Sequence, residues 1–440
     1  MASDPRHPSA HDPARDARRA IDAVWRIESA RLIAGLVRMV RDVGLAEELA
    51  QDALVAALEH WPRDGVPDNP GAWLMATAKR RAIDRLRRSQ LMQRKHEQLA
   101  YELEDEQADA TTQLHAALDD PIGDDLLRLV FVACHPLLST QAQVALTLRL
   151  LGGLATDEIA RAFLVPEATI AQRIVRAKRT LAEADVAFEV PRGDDLRERV
   201  ASVLAVLYLI FNEGYAATAG DDWMRPQLCE EALRLGRILA ALMPVEAEVH
   251  GLLALLEIQA SRLPARTDAT GQPVLLLEQD RARWDRLLIR RGLAALARAE
   301  QLGGGQGAYA LQAAIAACHA RALAPQDTDW GRIAALYARL AQVAPSPVVE
   351  LNRAVAVAMA SGPAAGLALT EALVAEPALR HYHLLPSVRG DLLARLGQHA
   401  QAQGEFERAA ALTRNGRERE LLLARAAACA TAAQAPLASS

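Results

Sequence analysis

From Gly153 to Leu181 the chain carries two stretches of helical period separated by a proline, and this layout constrains the fold more than any other feature. The first stretch turns Ile159, Ala160 and Phe163 to one side. A break follows at Leu164 to Pro166, and the second stretch places Ile170, Ile174, Val175 and Leu181 on its apolar face. Two short helices that must bury facing stripes across a tight break form a helix-turn-helix. Proline is compatible with the start of the second helix, since its fixed φ suits a first turn that lacks amide partners. The opposite face of that helix offers Gln172, Arg173, Arg176, Lys178 and Arg179.

A helix of this kind fits the major groove of DNA, where Gln and Arg read base edges and Arg or Lys hold phosphates. An amphipathic helix pair with a solvated basic face explains the same residues in isolation, so the rest of the chain decides. Alanine, leucine and arginine dominate its 440 residues, β-branched runs are scarce, and aromatic residues make up 4%. That favours helix almost throughout, and the expected class is all-α. The net charge of −5 hides a strong local asymmetry. Residues 77–95 carry eight Lys or Arg against one acid, Asp84, whereas residues 96–125 carry ten Asp or Glu and no Lys or Arg. Such alternation predicts separate surfaces for separate partners.

The pattern divides the chain into a polar, disordered tail (1–15), a helical unit (16–95) and an acidic linker (96–124). The helix-turn-helix unit (125–190) and a helical region (197–435) follow, with a hinge at Pro191 to Asp195. Within the first unit a loop from Trp61 to Pro70 holds three prolines. Near the end, Ala365, Leu369, Ala372 and Pro377 follow the spacing of a tetratricopeptide second helix. Ala402, Phe406 and Ala409 repeat it after Gly397; an irregular bundle with alanines at those positions remains the alternative.

Cys134, Cys229, Cys318 and Cys429 lack metal-ligand spacing, so neither a metal nor a cofactor is expected. No signal peptide or membrane span is legible, and a cytoplasmic protein without membrane contact is expected. His250, His319, His381 and His383 come without a nucleophile or phosphate loop, which argues against an enzyme.

Three pieces in order resemble the extracytoplasmic-function sigma factors of the sigma-70 family. Residues Ala46–Leu54 look like region 2.2, and Trp73-Leu74 with Arg81–Arg88 look like regions 2.3 and 2.4. Thr169, Ile170, Arg173, Arg176 and Ala177 match the region 4 recognition helix. Beyond residue 196 the chain resembles the subgroup with a tetratricopeptide-like extension, through Phe211–Tyr215, Leu228–Ala232, Glu278–Arg281 and Trp284-Asp285.

The resemblance implies core RNA polymerase and promoter DNA as partners. Glu47, Glu48, Gln51 and Asp52 would dock on the β′ clamp and region 4 on the β flap, while the acidic linker follows the RNA exit path. The helical spacing of Glu48, Asp52 and Glu59 fits an acidic stripe opposite Leu45, Leu49 and Ala53, although a solvated helix face explains the same acids. The loop Trp61 to Gly71 would receive a base extruded from the −10 element, with Asn69 and Asp68 facing it. Lys79, Arg80, Arg81, Arg85, Arg87 and Arg88 would hold −10 DNA around a core of Trp73, Ala76, Ile83 and Leu86. Thr169, Gln172, Arg173, Arg176 and Lys178 would bind the −35 element.

Two departures from the family pattern change the expectation. Arg80 stands where many relatives have Asn, which favours a phosphate contact there. Pro166 replaces a capping Ser and Ala171-Gln172 replace a Lys-Ser pair, so the preferred −35 bases should differ.

The helical extension is expected to act in cis or to bind a protein partner, with Phe211–Tyr215 and Asp280–Asp285 as contact surfaces. The alternative is that Tyr215 and Trp284 plug its core. The rival function is a one-component helix-turn-helix regulator with a helical sensor, which leaves residues 17–94 unexplained.

Overall fold

Local capping sets most of the helix ends. Asp42, in an extended conformation, accepts the Leu45 amide at 2.8 Å and starts one helix, which Gly65 ends at φ +86°. Ser139 caps the helix Thr140–Leu150 by accepting the Ala142 amide. In a computed structural model that describes residues 13–97, 122–163 and 165–434, the described chain is almost entirely helical. Two compact units divide it, Met1–Val206 and Leu207–Ser440.

The first unit begins with α1 (Pro13–Val40), α2 (Val43–Asp64) and α3 (Pro70–Glu97), which pack on one another. It continues with α4 (Ile122–Ala133), α5 (Thr140–Leu150), α6 (Thr156–Phe163) and α7 (Glu167–Glu183). The helix α1 starts at Pro13, inside the tail expected over 1–15. Residues 1–12, 98–121, 164 and 435–440 lie outside the described residues, and with them nearly all of the expected acidic linker.

The proline-bearing loop is shorter than expected. Helix α2 runs through Pro62 to Asp64, and Pro70 opens α3, leaving five residues between them. Near a helix end the amide that Pro62 lacks removes only one bond, so the helix tolerates it. The buried stripe of α3 is also rotated from the expected one. Leu74, Ala78 and Ala82 are buried, Trp73, Ile83 and Leu86 are half-buried, and Ala76 is exposed. Small alanines at this spacing let α3 lie close against its neighbours, so the larger side chains sit at the flanks.

Helix α8 (Gly193–Tyr215) crosses the division between the units, which falls beyond the expected hinge at Pro191 to Asp195. Its first turns belong to the first unit: Arg199 Nη2 donates to the Phe131 carbonyl at 2.7 Å and Ser202 Oγ to the Cys134 carbonyl at 2.9 Å.

The second unit is a succession of helices, each packed on the next. They are α9 (Pro226–Leu242), α10 (Ala247–Ala260), α11 (Arg286–Gln301), α12 (Ala308–Arg321), α13 (Trp330–Val343), α14 (Pro347–Ser361), α15 (Pro363–Val374), α16 (Leu384–Arg395), α17 (His399–Leu412) and α18 (Gly416–Gln434). Two short parallel strands, Ala219–Gly220 and Arg414–Asn415, join its beginning to its end. Asn415 seals that junction by donating to the carbonyls of Ala217 (3.1 Å) and Asp222 (2.8 Å).

The two candidate repeats fare differently. Ala402, Phe406 and Ala409 are buried as the spacing predicts, and they form one core cluster. In the earlier segment Gly366, Thr370 and Leu373 are buried, whereas Ala372 and Pro377 are exposed and Ala365 and Leu369 half-buried. The inward register is displaced by one residue. Gly366 explains the shift, because a Cβ there would lie 2.6 Å from the Ala354 carbonyl, and only glycine allows α14 and α15 to approach so closely. No helix among the described residues is long and apolar enough to cross a membrane.

Candidate nucleic-acid interface

Helix α3 presents a cationic surface. Arg80, Arg85, Arg87 and Arg88 are exposed, and Lys79 and Arg81 are half-buried. Two of the six have protein neighbours that bear on their role. Arg81 Nη1 donates to the Asp52 carbonyl at 2.7 Å and lies 3.6 Å from the Asp52 carboxylate. A residue expected on DNA and a residue expected on polymerase therefore hold α2 and α3 together. Burial, and then the positive charge of Arg38, lower the Lys79 pKa, which makes it the least available of these cations.

A cleft of about 580 Å³ lies where α2 meets α3, lined by His60, Trp61, Val66, Pro67, Trp73, Thr77, Arg80 and Arg81 among others. Trp61 is buried and meets the half-buried Trp73 edge-on at 5.5 Å. Asn69 takes a structural part here, since its Oδ1 accepts the Ala72 amide at 3.0 Å and caps α3. The aromatic and histidine lining was not anticipated from sequence. The signal was present as two tryptophans, in an aromatic-poor chain, on either side of a proline-bearing loop.

The helix-turn-helix forms from α6 and α7. Ile159 and Ala160 of α6 are buried against Ile170, Ile174, Ala177 and Leu181 of α7. Val175, expected in the core, is 63% exposed, because the stripe of i, i+4, i+7 and i+11 positions turns it outward beside Arg176. Gln172 and Arg176 are exposed, and Thr169 and Arg173 are half-buried. Arg179 pairs with Glu183 at 2.6 Å within its own helix. Pro166 begins α7 without a side-chain cap, its carbonyl accepting the Thr169 amide at 2.9 Å.

The largest departure concerns Glu47 and Lys178, expected on different binding surfaces. Glu47 is 4% exposed and points away from the acidic face. Its carboxylate accepts from Arg149 Nε at 2.6 Å and forms an ion pair with Lys178, while Gln51 donates to it at 2.8 Å. Helix α2 is thereby clasped to α5 and α7. A second clasp mirrors it, with Asp125 of α4 between Arg38 of α1 (3.4 Å) and Arg128 (2.8 Å). Gly153 adds a close approach at φ +66°, where a Cβ would stand 2.8 Å from Ser29 Oγ. The exposed acids that remain on α2 are Glu48, Asp52, Glu59 and, at its end, Asp64.

In the second unit the large side chains of the two segments expected to form contact surfaces turn inward, while Asp280, Ala282, Arg283 and Asp285 are exposed. Trp284 is 3% exposed, with Arg262 and Arg281 over its ring at 5.0 and 5.1 Å. Phe211 is buried and stacks on the half-buried Tyr215 at 5.7 Å. Asp280 and Asp285 serve as caps, accepting amides from Ala282 and from Leu287 and Leu288. Gly214 lets α8 approach α9, because a Cβ there would meet the Cys229 amide nitrogen at 2.7 Å and the Arg225 carbonyl at 2.9 Å. All four cysteines are buried and reduced, and burial pushes the thiols of Cys134 and Cys229 up to about 12.

Three family descriptions match parts of the chain. Residues 27–91 match sigma-70 region 2, residues 128–181 match sigma-70 region 4, and residues 199–300 match a family of unknown function. An uncharacterized protein of Rhizobium meliloti (strain 1021) is 45% identical over 384 residues, covering 87% of this chain and 89% of the relative. The ECF RNA polymerase sigma factor SigK of Mycobacterium ulcerans is 32% identical over 152 residues, covering 33% of this chain and 76% of the relative. A probable ECF RNA polymerase sigma factor, SigI of Mycobacterium tuberculosis, is 27% identical over 182 residues, covering 41% of this chain and 59% of the relative.

Proposed function

Because the chain belongs to the extracytoplasmic-function sigma factors, with a C-terminal extension added, we propose how its surfaces divide the work of promoter-specific initiation. The face of α2 that carries Glu48, Gln51 and Asp52 docks on the β′ clamp of core polymerase, and region 4 meets the β flap. The cleft beside Trp73 receives a base flipped from the −10 element, since an aromatic wall and nearby cations suit an unstacked base next to its phosphate. Arg80, Arg85, Arg87 and Arg88 hold the adjacent phosphates. Gln172, Arg173 and Arg176, with Thr169 at the helix start, meet the −35 element in the cytoplasm. One observation carries this reading: two basic helices, α3 and α7, each buried on one side and cationic on the other, stand in the same chain as a helix, α2, with an exposed acidic face.

The clasp at Glu47 adds a condition. While Glu47 holds Arg149 and Lys178, Lys178 is committed to protein and α7 is tied to α2. Polymerase and promoter binding therefore require the clasp to open, and Lys178 then exchanges a carboxylate for a phosphate.

The extension, residues 197–435, acts in cis on this exchange and sets the activity of the N-terminal half. With Trp284 and Phe211 interior, its outward contacts fall to the exposed residues of the unit.

Affinity capture tests the reading against a one-component regulator. Tagged protein should retain core polymerase subunits from a cell extract in the absence of DNA, and capture of operator DNA alone would favour the regulator. On DNA, replacing Gln172 or Arg173 by Ala should cost about 1–3 kcal/mol on the preferred −35 sequence. The loss should be much smaller on a scrambled one. Quantitative footprinting of the holoenzyme measures both, and an equal loss on the two templates would assign these side chains to phosphates alone.

A further inference from the structure

The second unit contains a cavity of about 640 Å³ that the sigma function does not use. Helices α8, α10, α12, α13 and α14 contribute to its wall. Its size lies within the range of small-molecule sites. The apolar part comes from side chains such as Phe211, Leu255, Ile315 and Leu340, and Tyr208, Tyr215 and Tyr337 bring hydroxyl groups. No aspartate or glutamate among the described residues lines it.

Its charge is unusual for an interior. Arg262 lines the cavity and is only 4% exposed, yet no carboxylate among the described residues pairs with it. Its guanidinium stacks on Trp284 and interacts with the Tyr215 side chain, Nη2 reaches the Ala316 carbonyl at 3.3 Å, and Nε is buried without a hydrogen-bond partner. Arg281 and Arg266 stand behind it. Arg281 turns both terminal nitrogens onto protein acceptors, Nη1 onto the His319 and Ala322 carbonyls and Nη2 onto the Thr328 hydroxyl, although its Nε is unpartnered as well, and Arg266 is held by the Tyr215 carbonyl and the Tyr215 ring at 3.7 Å. His319, also in the wall, is buried with Nδ1 unpartnered. Burial and the two nearby arginines lower its pKa to about 3, so the ring is neutral and adds no charge to be neutralised. Gln259 Oε1 is a further buried acceptor without a donor.

A buried cation without a counter-ion costs stability unless something negative occupies the space beside it. A purely structural arginine would be expected to have a carboxylate or acceptors at both terminal nitrogens, as Arg281 has. Arg262 has only one long carbonyl bond and the Tyr215 side chain, and it faces a space large enough for a ligand. The surroundings also define the ligand: one negative charge for Arg262, an apolar or aromatic body for the wall, and hydrogen-bonding groups for the tyrosines and Gln259.

We propose that this cavity is a receptor site for a small organic carboxylate, with Arg262 binding its carboxylate group. Phe211, Asn212 and Tyr215 all lie in its wall, and the buried motif around Trp284 braces Arg262 from behind. Occupancy joins α8 to α12, α13 and α14 through one ligand. The effect of that ligand on transcription rests on the extension acting in cis, but its binding does not.

Binding is therefore measured on the full-length protein without polymerase, by titration calorimetry. The probes are benzoate, phenylacetate, 4-hydroxyphenylacetate and octanoate, with benzamide and phenylacetamide as neutral controls. At least one carboxylate should bind saturably, one per chain, with Kd below about 1 mM. The matching amide, and the carboxylate on Arg262→Gln, should each bind about tenfold or more weakly.

Val349→Trp leaves Arg262 in place and fills the cavity from α14, so it should abolish binding in a protein that still folds, as judged by circular dichroism. It decides the matter if Arg262→Gln does not fold. The proposal is overturned if no carboxylate saturates up to about 10 mM, if the amides bind as well, or if Val349→Trp binds like the parent protein.

Discussion

Reversing Arg85, Arg87 and Arg88 together to glutamate should lower promoter-dependent transcription on the order of a hundredfold at moderate salt. All three are exposed on α3, so the change leaves the core of Leu74, Ala78 and Ala82 intact. Each lost phosphate contact should also remove about 0.9 from the slope of log affinity against log salt. The added negative charges repel the same phosphates, so the total loss exceeds that of three alanine substitutions. Binding to core polymerase should persist, because Glu48 and Asp52 lie on a different helix. Run-off yield, salt-dependent DNA binding and polymerase capture by the same triple variant separate these effects. A folded variant that transcribes normally would remove α3 from the DNA-binding surface.

The second large effect concerns Glu47→Gln. Glu47 is the shared acceptor of Arg149 and Lys178, each about one-fifth exposed at the side chain. Taking the charge from a nearly buried carboxylate leaves two cations facing a neutral amide. For partners that keep some solvent, the cost is about 2 kcal/mol rather than the larger penalty of a fully buried pair. That is enough to shift a closed arrangement by more than tenfold toward open ones. Spin labels at Leu58 and Val175, both exposed on the two clasped helices, report it directly. The parent protein should give one narrow distance and Glu47→Gln a broadened, longer one. Identical distributions would mean that the Asp125 clasp and apolar packing hold α2 and α7 without Glu47.

The residues that sequence reasoning placed well are those fixed by local period. Ile159, Ile170, Ile174 and Leu181 had to face inward in any helix-turn-helix, and they do. Glu48, Asp52 and Glu59 had to share an exposed face opposite Leu49 and Ala53, and they do. Errors arose where residue size was taken as a guide to burial. Val175, whose size suggests the interior, turns outward while Ala177 is buried, and the core of α3 falls on Leu74, Ala78 and Ala82 rather than on Trp73, Ala76, Ile83 and Leu86. In an alanine-rich protein the small residues mark the closest helix contacts, so size misleads by about one position in a turn. The displaced repeat at Gly366, Thr370 and Leu373 has another origin, the close approach of α14 and α15 that Gly366 allows.

Long-range pairing was not legible at all. Nothing in the run Ala46–Leu54 distinguishes Glu47, which turns inward to meet cations about a hundred residues away, from Glu48, which turns out. The carboxylate-free surroundings of Arg262 depend on five helices meeting, and no spacing in sequence announces that.

The most direct test of the account is run-off transcription with cognate core polymerase on linear genomic templates, with and without this protein. The account predicts discrete transcripts that require both core and the protein, each starting downstream of a shared pair of −35 and −10 sequences. Retained DNA binding without core, together with no specific transcript from the reconstituted mixture, would contradict it.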